Sequence, residues 1–204
     1  GNVRFWTGAA RGAVQSAFER RALIAAQFPS TAVLGCSDSR VPTEIVFDQS
    51  LGDMFVVRVA GNCMATATTA SLQYAIFHLK VKVVMVMGHE GCGAVKAALQ
   101  PVEAIDGEPE ALSTMLKSLK SGLDYQRYSE VNDPRSHDRE AVVTNLRRQC
   151  EKIVSDDKVM AMVKKGELIV VGAFYEISSG IVDFLFEVST TSDIPPEMYR
   201  PNVK

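Results

Sequence analysis

The sequence predicts an α/β domain built on a mostly parallel four-stranded sheet flanked by helices, with a fifth edge strand near the C-terminus. Three observations lead to this fold class: short Val-rich apolar runs, longer helical segments between them, and a chain of 204 residues that is 47% hydrophobic. Parallel strands covered on both faces have nearly continuous apolar runs, and crossover helices separate them along the chain. The length corresponds to one ordinary domain, so we predict a single domain over residues 1–204.

Five apolar runs are predicted as strands. The first four are short, rich in Val and nearly continuous in apolar residues, as expected for buried parallel strands. The fifth follows a Ser-Ser-Gly turn and is expected to pair at an edge of the sheet. The predicted strands are residues 31–36, 54–60, 83–88, 168–173 and 181–188.

The segments between these strands have helical composition. Residues 4–27 are amphipathic, rich in Ala and Arg, and followed by Pro29, so we predict one helix there within an N-terminal helical arm over residues 1–30. Gly, Pro and charged residues interrupt the segment 101–139, which is predicted as helix pieces joined by loops. Three prolines in residues 189–204 predict an extended tail. The remaining predicted helices are residues 66–79, 94–100 and 140–165.

Composition and charge exclude several classes of protein. Twenty-two basic and 24 acidic residues give a net charge of −2, which lacks the basic excess of a general nucleic-acid-binding protein. The longest apolar runs are far shorter than the ~20 residues of a membrane span. Four cysteines in 204 residues are too sparse for a disulfide scaffold, so we expect a reducing compartment. That compartment would be the cytoplasm, or an organelle stroma or matrix if a targeting peptide was removed.

Three potential metal ligands follow two of the predicted strands. Cys36 closes the first strand, and His89 and Cys92 follow the third. Ligands gather at the carboxyl ends of parallel strands where the strand order reverses, so these side chains would meet in one crevice. Two thiolates and one imidazole suit Zn²⁺, and three protein ligands leave a position for water, as in catalytic zinc sites. The alternative is that the thiols are inert and the histidine is a hydrogen-bonded core residue. This alternative is the better explanation of any one of these residues alone, whereas a metal site is the better explanation of all three together.

Asp38 and Arg40 follow the first of these ligands in the segment CSDSR. Asp38 lies two residues past Cys36, within reach of the metal's open position, and Arg40 could clamp its carboxylate through paired, charge-assisted hydrogen bonds. An ionised carboxylate only accepts hydrogen bonds, so Asp38 would orient a zinc-bound hydroxide, or would itself bind zinc and close the site. The alternative is that Asp38 caps the next helix and Arg40 is a surface cation.

Taken together, the motifs resemble the β-class carbonic anhydrases over nearly the whole chain, except residues 101–139 and the last fifteen. The combination CxDxR plus HxxC, in this order and separation, is highly specific. The segments that carry the resemblance are GNVRF at 1–5, CSDSRVP at 36–42, GDMFVVR at 52–58, AGN at 60–62, GHEGCG at 88–93, NLR at 145–147 and residues 166–187.

This resemblance implies a carbonate dehydratase, a zinc lyase that reversibly hydrates carbon dioxide to bicarbonate and a proton through zinc-bound hydroxide. It implies one Zn²⁺ per chain, held by Cys36, His89 and Cys92. It also implies that Asp38 and Arg40 form the catalytic dyad, with Asp38 as a fourth zinc ligand in a closed state.

The family's substrate pocket is built across a dimer interface, so the resemblance implies a homodimer or a higher homo-oligomer. Gln27, Phe55 and Tyr74 match its pocket positions. Backbone amides near Gly61, together with the Gln27 side chain, would steady an oxygen of the substrate.

Two other functions remain open from the residues. The same scaffold could hydrolyse carbonyl sulfide or carbon disulfide, because fold and motif do not determine the substrate. A non-catalytic zinc protein could bind bicarbonate as a sensor, although both Asp38 and Arg40 are present. Two further features are also open: Cys63 and Cys150 could form a regulatory disulfide or be unrelated thiols, and His137 could shuttle protons or lie in a solvated loop.

Overall fold

Five strands form one sheet in the computed structural model, which describes residues 1–9, 16–123 and 133–192. The order is β2-β1-β3-β4-β5; β1 to β4 are parallel and β5 pairs antiparallel with β4. The predicted sheet with a fifth strand at its edge is therefore confirmed, and the structure adds that this strand is antiparallel. The strands are β1 (Thr31–Gly35), β2 (Met54–Arg58), β3 (Val83–His89), β4 (Ile169–Tyr175) and β5 (Val182–Val188).

Helices connect and cover these strands in the described part of the chain. A 3-10 turn at Ala60–Asn62, which the sequence analysis did not predict, follows β2. The helices are α1 (Asn2–Trp6), α2 (Ala17–Ala22), α3 (Thr43–Val46), α4 (Thr66–Phe77), α5 (Gly93–Ala98), α6 (Val102–Asp106), α7 (Glu110–Lys120), α8 (Pro134–Val154) and α9 (Asp157–Lys164).

The predicted single helix over residues 4–27 is wrong. Helix α1 ends at Trp6, and Gly8 follows in the left-handed region with φ +73°, which stops the helix. Helix α2 begins only after Ser16, whose side chain forms a capping box with Glu19, and it ends at Ala22. Residues 10–15 of the prediction lie outside the described residues.

The predicted helix over residues 140–165 is wrong in its bounds, because two helices occupy this region. Helix α8 already begins at Pro134, since the Asp133 carboxylate accepts a hydrogen bond from the backbone N–H of Ser136. Helix α8 ends at Val154, with Ser155 as its C-cap. Helix α9 then begins after Asp156, whose side chain accepts hydrogen bonds from the backbone N–H groups of Lys158 and Val159. The helix pieces predicted within residues 101–139 are present as α6, α7 and the start of α8, whereas residues 193–204 of the predicted tail lie outside the described residues.

Both faces of the sheet are covered, which explains the uninterrupted apolar runs. On β1, Ala32 and Leu34 join one cluster of buried residues, and Val33 joins a second cluster with Met85 and Met87 of β3. Successive side chains of a strand point to opposite faces, so a strand buried on both sides must be apolar throughout. Within the described ranges, no helix is long and apolar enough to cross a membrane.

The strand order reverses between β1 and β3. The chain moves from β1 to β2 on one side of the sheet and then to β3 on the other, so the carboxyl ends of β1 and β3 flank a crevice. Gly35 of β1 pairs in register with Met87 of β3. Cys36 and His89 therefore leave the sheet at the same edge, next to each other.

Candidate metal centre

Cys36, His89 and Cys92 converge at the reversal point of the sheet. Their ligand atoms all lie within 4.8 Å of one another, and all three side chains are buried. Cys36 directly follows β1, His89 ends β3, and Cys92 is the residue before α5. The predicted convergence of these three side chains is confirmed.

The donor atoms of this cluster fit a zinc ion. The Nδ1 atom of His89 lies 2.9 Å from the carbonyl oxygen of Glu90. A carbonyl only accepts, so Nδ1 carries the proton and Nε2 is left with a free lone pair. That Nε2 atom is buried and has no hydrogen-bond partner among the described residues. A buried imidazole nitrogen without a partner beside two sulfur atoms is the N/S donor set that Zn²⁺ prefers.

The two thiols of the cluster differ in their readiness to ionise. A hydrogen bond from Cys92 lowers the pKa of Cys36 to about 4, although burial opposes this. The backbone N–H of Gly61 adds a second hydrogen bond to the Cys36 sulfur at 3.3 Å. The same hydrogen bond between the two thiols raises the pKa of Cys92 above its ordinary value, and burial adds to that rise. The Cys36 thiol therefore ionises more readily than the Cys92 thiol, and a metal ion held by both sulfur atoms would displace the proton that Cys92 keeps.

Asp38 and Arg40 form a bidentate ion pair beside the cluster. The Arg40 Nε donates to Asp38 Oδ1 at 2.9 Å, and Nη2 donates to Oδ2 at 2.7 Å. The backbone N–H of Arg40 also donates to Oδ1 at 2.9 Å, and Nη2 reaches the carbonyl oxygen of Gly91 at 3.2 Å. Asp38 Oδ2 lies 3.9 Å from the free Nε2 of His89, so the clamped carboxylate borders the metal cluster.

This ion pair determines the charge of Asp38. The hydrogen bonds from the Arg40 side chain hold the pKa of the Asp38 carboxyl well below its usual range, against a smaller opposing effect of burial. The carboxylate is therefore an acceptor only. The capping alternative does not hold, because α3 begins at Thr43 with Pro42 as its N-cap.

Arg58 supports this segment and was missed by the sequence analysis. Its Nε donates to the carbonyl oxygen of Cys36 at 2.9 Å, and its Nη2 donates to the carbonyl oxygen of Asp38 at 2.6 Å. Arg58 ends β2, next to Gly35 at the end of β1. Its place in the GDMFVVR motif was the available signal, but the motif does not say which atoms it binds.

The predicted pocket residues divide into two groups. Gly61 adjoins the cluster through its bond to Cys36. Phe55 and Tyr74 lie together with ring centroids 6.2 Å apart, and Tyr74 is 47% exposed. Gln27 is exposed in the N-terminal arm. In the described part of the chain, no hydrogen bond or ring contact joins Gln27, Phe55 or Tyr74 to the metal cluster.

Cys63 and Cys150 are free, buried thiols in different surroundings. The Cys63 sulfur lies 3.8 Å from the hydroxyl of Ser118, and the Cys150 sulfur lies 3.8 Å from the carbonyl oxygen of Val171. Burial raises the pKa of Cys150 above its ordinary value. These surroundings favour two unrelated thiols over a regulatory disulfide.

Comparison with known proteins agrees with this geometry. The family model described as carbonic anhydrase matches residues 31–182. Carbonic anhydrase 2 of Mycobacterium tuberculosis is 34% identical over 188 residues, covering 88% of this chain and 86% of that protein. The carbonic anhydrase of Mycolicibacterium smegmatis is 35% identical over 193 residues, covering 90% and 87%. A crystal structure of tetrameric β-carbonic anhydrases from Sordaria macrospora is similar with a TM-score of 0.73 and 28% identity, covering 83% of this chain and 85% of that one.

Proposed function

The chain belongs to the β-class carbonic anhydrase family, and on that premise we propose that it reversibly hydrates carbon dioxide to bicarbonate and a proton with zinc as its cofactor. The observation that carries the proposal is the cluster of Cys36, His89 and Cys92 with a clamped carboxylate at its border. The N/S donors explain metal binding, and the carboxylate of Asp38 adds a group that can position a reactant.

Cys36, His89 and Cys92 would hold one zinc ion per chain. Zinc bound there supplies Lewis acidity that brings the pKa of a water molecule toward neutrality. The Nδ1–H group of His89 donates a hydrogen bond to the carbonyl oxygen of Glu90. This bond keeps the ring in the orientation that would present Nε2 to the metal.

Asp38 and Arg40 would orient the reacting water. Arg40 donates two hydrogen bonds to Oδ1 of Asp38 and one to Oδ2, so the remaining lone pair of Oδ2, the oxygen 3.9 Å from His89 Nε2, is available to accept a hydrogen bond. The pKa of Asp38 is held well below its usual range, so this carboxylate orients the water and does not retain the proton released by hydration. Asp38 is also the group that would bind zinc as a fourth ligand in a closed state.

The working unit is proposed to be a homo-oligomer that completes the substrate pocket. Among the described residues of one chain, no hydrogen bond or ring contact joins Gln27, Phe55 or Tyr74 to the candidate ligands, which fits a pocket to which a second copy contributes. Helix α2 has no buried residue; Phe18 within it and Phe28 after it are 81% and 83% exposed. Apolar rings this exposed favour burial against a partner. The solved relative from Sordaria macrospora is described as tetrameric.

Residues 1–204 are proposed to form one domain, with residues 1–30 as a helical arm and residues 189–204 as a tail. The single sheet with its two apolar clusters supports this organisation.

The substitution Asp38→Asn tests the proposed reaction. The amide cannot act as an anionic acceptor and breaks the bidentate pair with Arg40, so we expect turnover to fall by roughly 100-fold or more while zinc stays bound. Stopped-flow carbon dioxide hydration at pH 8.5, with zinc content quantified, measures both. Asp183→Asn is the matched control, because its carboxylate is also paired with an arginine, Arg139 at 2.8 Å, but lies outside the cluster.

Two outcomes would contradict the proposal. A wild-type protein with full zinc loading and no turnover would point to a bicarbonate-binding protein or to another substrate, and sulfide release from carbonyl sulfide would then identify a hydrolase. Turnover of Asp38→Asn within twofold of wild type would remove Asp38 from the mechanism.

A further inference from the structure

We infer that Asn145 and Gln149 of α8 are positioning residues that hold the turn at Gly61, so that its N–H stays bonded to the sulfur of Cys36 and sets the metal affinity of that thiolate. This inference rests on the proposed zinc function. It concerns two residues that are far in sequence from every predicted ligand and for which no hydrogen bond to Cys36, His89 or Cys92 is seen in the described part of the chain.

Gly61 is held on both sides of its Cα atom. Its N–H donates to the Cys36 sulfur at 3.3 Å, and its carbonyl oxygen accepts a hydrogen bond from Asn145 Nδ2 at 2.9 Å. The next N–H, of Asn62, donates to the carbonyl oxygen of Val59 at 2.9 Å. Asn145 is therefore the only side chain among the described residues for which a hydrogen bond to the Gly61 backbone is seen, besides the metal ligand itself.

The hydrogen bonds themselves determine how the two amides are oriented. The backbone N–H of Met64 can only donate, and it lies 2.9 Å from Gln149 Oε1, which places Nε2 on the other side of that amide. Gln149 Nε2 donates to Asn145 Oδ1 at 2.8 Å, which leaves Nδ2 of Asn145 to face Gly61. The two residues are one helical turn apart, and Asn145 and Gln149 are 1% and 0% exposed. Water does not compete for these bonds, so breaking one leaves a buried polar group unpaired.

The turn needs this support because a glycine occupies it. Gly61 has φ +63° and ψ 21°, and a glycine adopts other backbone conformations at little cost. A side chain cannot restrict it, since a Cβ atom would lie 2.9 Å from Leu119 Cδ1 and 3.2 Å from Ala94 Cβ. The conformation that directs the N–H at Cys36 is therefore selected from outside, by the bond from Asn145.

The bond to sulfur matters because the ligand set contains two thiolates. Together they cancel the charge of Zn²⁺, and an N–H donor to one of them withdraws electron density and leaves more positive charge at the metal. Outer-shell partners of metal ligands commonly change metal affinity by about 10- to 100-fold. Asn145 and Gln149 would exert such an effect through the Gly61 backbone.

Asn145→Ala in the full-length chain tests the inference, with Ile153→Ala as the matched control. Ile153 is also buried on α8, and no contact with Gly61 is seen for it. Zinc affinity is measured by competition with a chromophoric chelator, and the cobalt(II)-substituted protein reports the thiolate-to-cobalt charge-transfer band. We expect Asn145→Ala to bind zinc about 10- to 100-fold more weakly, because the Gly61 N–H no longer holds the Cys36 sulfur in position for the metal. We also expect the band to shift to longer wavelength, because the sulfur becomes more electron-rich without this donor. Ile153→Ala should change the zinc affinity by less than twofold and leave the wavelength of the band unchanged, even if this variant unfolds at a lower temperature.

Gln149→Met keeps the side-chain volume and tests the same chain of bonds if Asn145→Ala fails to fold. It should shift the band in the same direction by a smaller amount, and the double variant should add little to Asn145→Ala, because both residues act through one turn. The inference is overturned if Asn145→Ala or Gln149→Met has the same zinc affinity and the same band position as Ile153→Ala. The proposed function would then still stand. A wild-type protein without a thiolate-to-cobalt band would overturn both.

Discussion

The three candidate metal ligands and the predicted substrate-pocket residues differ in whether one chain alone brings them together. Cys36, His89 and Cys92 are buried and lie within 4.8 Å of one another. Tyr74 is half exposed and Gln27 is exposed, and no hydrogen bond or ring contact joins either of them to the three ligands within the described residues. One chain brings the three candidate metal ligands together by itself, whereas the proposed pocket would need a second copy to complete it.

The N-terminal arm repeats this contrast on a smaller scale. Helix α1 is anchored to the domain, because Asn2 Nδ2 donates to the carbonyl oxygens of Val46 at 3.1 Å and Gly180 at 2.9 Å. The Asn2 Oδ1 atom accepts from the N–H of Val182 at 2.9 Å. Helix α2 has no buried residue. A six-residue helix without packing is marginal in water, so contact with a second copy in the proposed oligomer would stabilise α2.

Removing a metal ligand should have the largest effect and should leave the oligomer intact. We expect Cys92→Ala to lose zinc and to lower carbon dioxide hydration by at least roughly 1,000-fold, because several kcal/mol of transition-state stabilisation depend on the metal. Metal analysis, stopped-flow hydration and sedimentation velocity test this. Cys150→Ala, another buried cysteine that lies outside the cluster, should keep its zinc and its activity. Loss of zinc accompanied by dissociation to monomers would break the separation between the two regions.

Changes in the arm should have an intermediate effect and should leave zinc bound. Replacing Phe18 and Phe28 with Ser removes two exposed rings, which we expect to weaken self-association by roughly tenfold or more per ring. Turnover per zinc should then fall at low protein concentration and recover at high concentration. Phe184→Ser is the matched control, since this ring on β5 is 64% exposed and outside the arm. Monomers with full turnover would refute the two-copy pocket.

The smallest effect concerns the acid stability of the zinc-free protein. The pKa of Asp38 is depressed in the folded state, so its contribution to the free energy of unfolding is present above the unfolded pKa near 3.8 and lost as pH falls below it. The pair lies at the surface, where ion pairs contribute little. Urea unfolding should show less than about a fivefold difference in the unfolding equilibrium constant between wild type and Asp38→Asn at pH 5 to 7, and the difference should shrink below pH 4. A difference that grows with acid would mean that Asp38 is not held ionised by Arg40.

Errors in the sequence-based fold lie where a local cap overrides composition. The Ser16–Glu19 capping box and the Asp156 cap each start a new helix inside a stretch predicted as continuous. A Ser or Asp contributes equally to the composition of a helical stretch whether it caps a helix or lies on the helix surface. Only the backbone conformation distinguishes a capping residue from a surface residue.

The sequence alone predicted the sheet, which the structure confirms, and three candidate metal ligands, which the structure brings together. Apolar periodicity indicates which segments are buried, and thiol and imidazole side chains at two strand ends form a donor set that suits a metal preferring sulfur and nitrogen. Only the tertiary structure decided which polar groups lie opposite those ligands. Arg58 reaches Cys36 across 22 positions, and Asn145 reaches Gly61 across 84. The pattern of buried residues along α8 shows that Asn145 is inside, but the partner of a buried amide depends on how two distant segments pack.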